Sequence, residues 1–170
     1  MKMRNLVGVG LGVALALGTA AAALAGGSTE EAVARGRYLV VIGGCNDCHT
    51  AGYPEQGGKV PEGQWLEGAP VGFQGPWGTT YASNLRLVVS RLDEDGWLEH
   101  ARQERLPPMP WFNLQRMTDA DLKAIYAYIR SLGVPGTAAP AYVAPGGKVT
   151  TPYIVFVPQT DAPQATLSGR

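Results

Sequence analysis

The pattern of apolar and polar positions predicts three helices. The first spans residues 28–42, with Ser28 as the N-cap of a capping box. The second begins at residues 93–95, whose acidic side chains suit the positive end of a helix. The third spans residues 118–132, where apolar side chains recur at helical spacing and Gly133 ends the helix.

The segments outside these helices lack a helical period. Residues 50–80 are rich in glycine and proline and predict a long loop. Residues 134–170 are similar in composition, apart from an apolar run at 153–157 that predicts a strand or an extended strap over the domain. Loop-rich chains of this size usually need a staple, so we expect a cofactor to supply part of the core.

Cys45-Asn46-Asp47-Cys48-His49 has the C-x-x-C-H spacing of a c-type haem attachment site. The two thiols can form thioethers with the two vinyl groups of the haem, and the adjacent imidazole can bind the iron. A zinc site would need every Cys and His of the chain, including His100. A thioredoxin-like pair needs a βαβ context, and a plain disulfide leaves His49 unexplained. The motif therefore favours one covalent haem c held by Cys45, Cys48 and His49.

Met109 is the candidate for the second axial iron ligand. It lies between Pro108 and Pro110, which fix the backbone. A His/Met pair is typical of electron carriers, because the thioether raises the reduction potential. Met117 is a rival that we expect to staple the third helix, and His100 is a rival that we expect to be solvated. An open iron site also remains an alternative.

A turn at Gly75–Gly78 is followed by three residues with polar side chains. They are Tyr81, Asn84 and Arg86, which carry a phenol, an amide and a guanidinium. Haem propionates need donors of these types, so we expect the three side chains to bind the cofactor. The alternative is an ordinary surface turn.

The N-terminus has the order of a secretory signal peptide. Lys2 and Arg4 precede an apolar run at residues 6–22, and Ala23-Leu24-Ala25 forms an A-x-A cleavage site. We expect removal after Ala25; the alternative is a retained anchor that holds the domain on the periplasmic side of the membrane.

Charge narrows the classes of partner. The chain has 14 basic and 14 acidic residues, and only 16% of its residues are charged. Without a basic excess, nucleic acid is not expected as a partner. The low charge also predicts a mostly uncharged surface around the exposed haem edge.

Taken together, the capped first helix ending in the haem motif, the loop-rich middle, the Met109 turn and the last helix resemble a class I c-type cytochrome over residues 28–133. The resemblance implies an all-α, loop-rich cytochrome c fold, with three to four helices around one covalent haem and an extended proline-rich strap after it. It also implies that the first and last helices cross, with Gly36 against Tyr128.

A narrower resemblance is carried by Trp77-Gly78, Tyr81, Asn84 and Met109-Pro110-Trp111. These are similar to monohaem domains that occur singly or as cytochrome subunits of bacterial periplasmic dehydrogenases. The resemblance adds Trp77, Gly78 and Trp111 to the expected haem-binding residues. Leu85-Arg86-Leu87 departs from the Ile-Thr-Pro that often follows the asparagine, so no particular dehydrogenase is implied.

The resemblance implies a periplasmic electron carrier rather than an enzyme. We expect this chain to divide into a signal peptide (1–25), a cytochrome c domain (26–133) and an extended C-terminal tail (134–170). Expected partners are a donor dehydrogenase and an acceptor oxidase or cytochrome, with any membrane association made through a partner. The alternatives are a haem subunit of a larger dehydrogenase complex, docked through the tail, and a five-coordinate haem enzyme or gas-binding protein.

Overall fold

The computed structural model describes residues 16–134 and 136–157. The predicted signal peptide lies largely outside these residues and stays a prediction. The helices are α1 (Ala16–Ile42), α2 (Cys45–His49), α3 (Leu85–Val89), α4 (Glu94–Ala101), α5 (Trp111–Arg116) and α6 (Asp119–Ser131), with a 3-10 turn at Glu62–Gln64. The strands are β1 (Gly72–Gly75), β2 (Gly78–Tyr81) and β3 (Tyr153–Val155).

The three predicted helices correspond to α1, α4 and α6. Asp93 caps α4 by accepting a hydrogen bond from the Gly96 amide at 2.8 Å. Thr118 caps α6, where its hydroxyl accepts from the Asp121 amide at 3.1 Å. Both caps follow the acidic and hydroxyl residues that the sequence placed at these helix starts.

The start of α1 differs from the prediction. The helix extends back to Ala16, so Ser28 lies inside it rather than at its start. The alanine-rich stretch at residues 20–25 has a high helix propensity, which offsets the cost of Gly26 and Gly27 directly before Ser28.

Helices α1 and α6 cross in close contact at Gly36. A β-carbon at this position would lie 2.7 Å from the Tyr128 β-carbon and closer still to the Ala124 carbonyl. Tyr128 is almost fully buried at this crossing. The predicted pairing of Gly36 with Tyr128 is therefore confirmed.

The apolar core fills the space between α1, α4 and α6. Trp97 is buried and its indole Nε1 donates to the Leu122 carbonyl at 2.8 Å, which ties α4 to α6. Trp65 anchors the long loop in the same core by donating to the Val60 carbonyl at 2.8 Å. Because an indole N–H needs a partner when buried, these bonds fix how both rings pack.

A three-stranded sheet, with strand order β2-β1-β3, is an addition that the sequence did not predict. Strand β1 pairs antiparallel with β2 in a hairpin, and β3 runs parallel to β1 on its other side. The apolar run at 153–157 thus begins as a strand, and its side chains are between 41 and 57% exposed.

No helix within residues 16–134 and 136–157 combines the length and apolar character needed to cross a bilayer.

Candidate functional site

Helix α2 carries the C-x-x-C-H motif directly after α1. Gly44 separates the two helices in a left-handed conformation (φ 67°), which glycine adopts without steric cost. In a helix, residues three apart share a face, so Cys45 and Cys48 point the same way. Both thiols are free, and both line one large cavity together with His49.

His49 is held in one tautomer. Its Nδ1 lies 2.7 Å from the Ser83 carbonyl, and a carbonyl only accepts, so Nδ1 carries the proton. The ring is 8% exposed, and burial lowers its pKa, which keeps the imidazole neutral. Nε2 therefore keeps a lone pair that can bind a metal, with the outer hydrogen bond fixing the ring.

The cavity has a volume of about 690 Å³, within the range of cofactor pockets. Its walls come from the end of α1, α2, the hairpin, the start of α3, α4, the 104–110 loop, α5, α6 and the C-terminal tail. Most of the lining is apolar, including Val40, Leu85, Trp97, Leu106, Leu114, Ile125 and Ile129.

The donor set in this cavity fits a haem c. Two adjacent thiols, a neutral imidazole and an apolar volume match a large flat cofactor attached through its edge. The zinc alternative lacks support, because the described residues contain no group of three or more Cys, His, Asp or Glu that could hold a metal.

Three candidates for the second iron ligand line the cavity: Met109, Met117 and His100. Met117 packs against the core just before the N-cap of α6, where a staple was predicted. His100 is engaged elsewhere. Arg105 lies 3.2 Å from its Nε2, and because a guanidinium only donates, this lone pair is occupied. His100 is therefore part of the cavity wall, rather than the solvated residue that we expected.

Of the predicted propionate and turn residues, Tyr81 lines the cavity. Trp77, Gly78, Asn84, Arg86 and Trp111 are outside its lining. The Asn84 Oδ1 accepts from the Leu87 amide at 3.0 Å, so this side chain caps α3. Trp111 begins α5, directly after the Met109-Pro110 turn. The structure thus brings together Cys45, Cys48, His49, Tyr81 and Met109.

Arg86 has a different environment from the one predicted. Its side chain is 5% exposed and donates to the carbonyls of Gly133 at 3.1 Å, Gly63 at 2.8 Å and Leu132. It also pairs with Glu67 at 3.3 Å. These partners engage the guanidinium away from the cavity, so Arg86 joins the end of α6 to the long loop.

Replacing Arg86 by leucine should destabilise the protein by about 3 kcal/mol, because the buried carbonyls would lose their donor. Chemical denaturation of the haem-loaded protein measures this loss. Arg91→Leu is the control, since Arg91 is exposed and its replacement should cost less than about 0.5 kcal/mol. Equal losses for the two variants would contradict the role assigned to Arg86.

Several cavity features could not be found from the sequence. The acceptor for His49 is the backbone carbonyl of Ser83, which no side chain marks. Pro140 and Tyr142 line the cavity from the tail, where no periodicity or motif singled them out. For Arg105, the only available signal was its place four residues before Met109.

Comparison with known proteins agrees with this geometry. Residues 33–133 match the family model for cytochrome c. The chain is 28% identical over 111 residues to the fructose dehydrogenase cytochrome subunit of Gluconobacter japonicus, covering 59% of this chain and 21% of that protein. It is also 28% identical over 119 residues to a nicotinate dehydrogenase subunit of Pseudomonas putida, covering 63% of this chain and 9% of that protein.

The match therefore spans a small part of each of these relatives, and no solved structure matches the chain significantly. The family model covers more than half of the chain and includes the C-x-x-C-H motif, which indicates one covalent haem c. With its haem cavity and its crossing of first and last helices, this chain belongs to the cytochrome c family of electron carriers.

Proposed function

We propose that this protein carries single electrons in the periplasm between a dehydrogenase and a further acceptor, using His49 and Met109 as axial ligands. One observation supports the proposal above all. A single apolar cavity is lined by both thiols, by a neutral His49 with a free Nε2, and by the Met109 thioether. When bound, haem c supplies a one-electron couple between ferrous and ferric iron.

The protein's own residues give this cavity its character. The Ser83 carbonyl orients His49 and makes it a stronger ligand. The prolines beside Met109 hold the thioether in nearly the same place in both oxidation states. If His49 and Met109 both held the iron, no iron position would be left for a substrate, which favours a carrier over an enzyme.

A dehydrogenase as electron donor is suggested by the names of both relatives. The surface near the attachment site suits a contact with few charges. Val41 and Ile42 are exposed at the end of α1, and Leu106 is an exposed part of the cavity wall. We therefore expect electron-transfer rates with the partner to fall only slightly as salt is raised, because long-range charge attraction contributes little.

The periplasmic location rests on the sequence. Lys2 and Arg4, the apolar run and the A-x-A site at residues 23–25 favour export. Haem attachment to such motifs also takes place outside the bacterial cytoplasm. Mass determination of the protein purified from the periplasm tests this location, and a chain that still carries residues 1–25 would contradict cleavage after Ala25.

Carbon monoxide tests the proposed ligation in the unmodified protein. If Met109 fills the distal position, the ferrous protein should bind carbon monoxide slowly, and the ferric spectrum should contain the weak band of a methionine–iron bond. Rapid binding without denaturant would instead support the five-coordinate alternative, an enzyme or gas-binding protein.

Replacing Cys45 by alanine should leave the haem attached through one thioether at Cys48, or reduce the yield of stable haem protein. The physical reason is that each thiol forms one of the two bonds to the haem edge. Haem staining after denaturing electrophoresis and intact mass measure the attachment. Asp47→Ala is the control, because Asp47 is exposed between the two cysteines and should leave both thioethers intact.

A second candidate is a haem subunit within a larger dehydrogenase. Its supporting observation is the exposed apolar run Tyr153–Val157, which could be covered by another subunit. Size-exclusion chromatography of the protein alone and with a co-expressed dehydrogenase would test it. A monomer that transfers electrons without forming a stable complex would contradict this candidate.

A further inference from the structure

The C-terminal tail begins after the last residue of the cytochrome c match, yet it reaches the haem cavity. The family model ends at residue 133. Two residues of the tail, Pro140 and Tyr142, line the cavity together with the cysteines and His49. A segment outside the family match therefore forms part of the wall around the cofactor.

Backbone pairing holds this part of the tail against the hairpin. The amide of Thr79 donates to the Val143 carbonyl at 2.7 Å, and the Val143 amide donates back to Thr79 at 3.0 Å. The Tyr142 hydroxyl donates to the Trp77 carbonyl at 2.8 Å. These three bonds fix the Tyr142 ring where the hairpin borders the cavity.

Two further contacts attach the tail beyond this point. The hydroxyls of Tyr81 and Thr151 lie 2.7 Å apart, and Tyr81 itself lines the cavity. Strand β3 then adds to the sheet, where the Gly72 amide donates to Pro152 at 2.9 Å. The tail is therefore attached to the hairpin on both sides of a linker at residues 144–150.

Gly78 explains why the tail can approach so closely. Its φ of +98° favours glycine, and a β-carbon here would lie 3.0 Å from the Tyr142 ring and closer still to the Val143 carbonyl. Gly78 and Trp77 were predicted to bind the cofactor directly. Both lie against Tyr142, which lines the cofactor cavity.

We propose that the tail is a wall of the haem cavity and that Tyr142 is a positioning residue that excludes water from the haem. Tyr142 is 50% exposed and also lines the cavity, so it lies at the edge of the cavity rather than deep inside it. Ferric haem carries one more positive charge than ferrous haem, and a drier cavity disfavours that charge. Burial by Tyr142 therefore raises the reduction potential, since burial is one of the levers that set it.

This proposal requires a haem in the cavity, and it does not depend on which group binds the distal face of the iron. The test is a redox titration of full-length, haem-loaded Tyr142→Ala. At a fixed ambient potential, the ratio of reduced to oxidised protein should fall about tenfold, which corresponds to 59 mV for one electron. Tyr142→Phe keeps the ring and should retain most of the wild-type ratio.

Tyr153→Ala is the matched control for this variant. Tyr153 is a similarly exposed tyrosine of the same tail that is outside the cavity lining, so its replacement should leave the potential unchanged. An unchanged potential in Tyr142→Ala, or an equal shift in Tyr153→Ala, would overturn the proposal.

A second pair of variants displaces the wall without removing Tyr142. Gly78→Ala should push Tyr142 and Val143 away and lower the potential in the same direction as Tyr142→Ala. Gly146→Ala is also strained, with a positive φ of +79°, but no described residue lies within 4 Å of the added carbon. A shift in Gly78→Ala that Gly146→Ala matches would be due to strain alone and would contradict the proposal.

The methionine–iron band separates failure of this proposal from failure of the proposed ligation. If the band is absent in the wild-type protein, Met109 is not the ligand, but the comparison of Tyr142→Ala with Tyr153→Ala still tests the wall. If the band is present and these two variants behave alike, only the wall proposal fails.

Discussion

Replacing Met109 by alanine is expected to lower the reduction potential and to let the ferrous protein bind carbon monoxide rapidly. Removal of the thioether would leave the distal iron position either empty or occupied by water. The thioether stabilises ferrous iron more than water does, so the ferric form becomes relatively more favourable. We expect a fall on the order of 0.1 V, within the roughly 0.8 V over which axial ligands set haem potentials.

Met117→Ala is the control that separates loss of an iron ligand from loss of any cavity-lining methionine. Met117 lines the same cavity and its replacement removes the same kind of side chain, but it packs against the core before α6. Because Met117 is only partly buried, we expect its loss to reduce stability by less than the roughly 2–5 kcal/mol typical of fully buried methionines, with little change in potential. The methionine–iron band should therefore persist in Met117→Ala and disappear in Met109→Ala.

Two results would reassign the ligand. An unchanged band in Met109→Ala with loss of the band in Met117→Ala would transfer the role to Met117. If neither variant changed the spectrum, His100 would become the candidate, although Arg105 now occupies its Nε2. Arg105→Gln, which weakens that contact, would then be expected to alter the spectrum.

The sequence predicted the features that local chemistry specifies. The spacing of Cys45, Cys48 and His49 allows few interpretations. The start of α4 at residues 93–95 and the cap of α6 at Thr118 follow from the acidic and hydroxyl side chains there. The close crossing at Gly36 was predicted through a family resemblance. A glycine within a helix does not by itself indicate which distant residue packs against it.

The features that could not be predicted from the sequence depend on contacts between residues far apart along the chain. Strands β1 and β2 are four residues each, and their glycines hide the alternation that marks a strand. Arg86 was predicted to bind a propionate because a guanidinium fits both a carboxylate and a group of carbonyls. Its neighbours Gly63 and Gly133 were brought to it by the fold, so composition near Arg86 could not distinguish the two roles.

Helix α1 contributes both to the stability of the fold and to the position of the haem-binding residues at its end. The helix contacts α6 at Gly36 and continues, through Gly43 and Gly44, into the α2 turn that holds both cysteines and His49. The position of His49 is therefore linked to the crossing of α1 and α6. A change that separates these helices should affect both the stability and the ligation of the iron.

Replacing Gly36 by alanine is expected to destabilise the protein by about 3 kcal/mol, at the upper end of the usual cost of overpacking. Alanine normally improves a helix by about 1 kcal/mol relative to glycine. Here, however, the new β-carbon would meet the carbonyl of Ala124 and the β-carbon of Tyr128, neither of which can rotate away. The helices must separate, and the buried surface between them is lost.

Thermal unfolding of the haem-loaded protein measures this effect. A loss of about 3 kcal/mol corresponds to a midpoint lower by roughly 6–12 °C for a chain of this size. Gly63→Ala is the matched control, because no residue in the described part of the chain lies within 4 Å of its added carbon and no positive φ is needed there. We expect it to change the midpoint by no more than about 2 °C, as for other exposed sites.

The methionine–iron band shows whether Gly36→Ala disrupts iron ligation together with the helices or independently of them. If α1 carries the position of His49, Gly36→Ala should lose the band at a lower temperature than the wild type, in step with the loss of helical signal. If the band disappears well before the helices unfold, the distal loop around Met109 opens independently of the crossing. A variant as stable as the wild type would mean that α1 and α6 do not approach at Gly36 as closely as the structure has them.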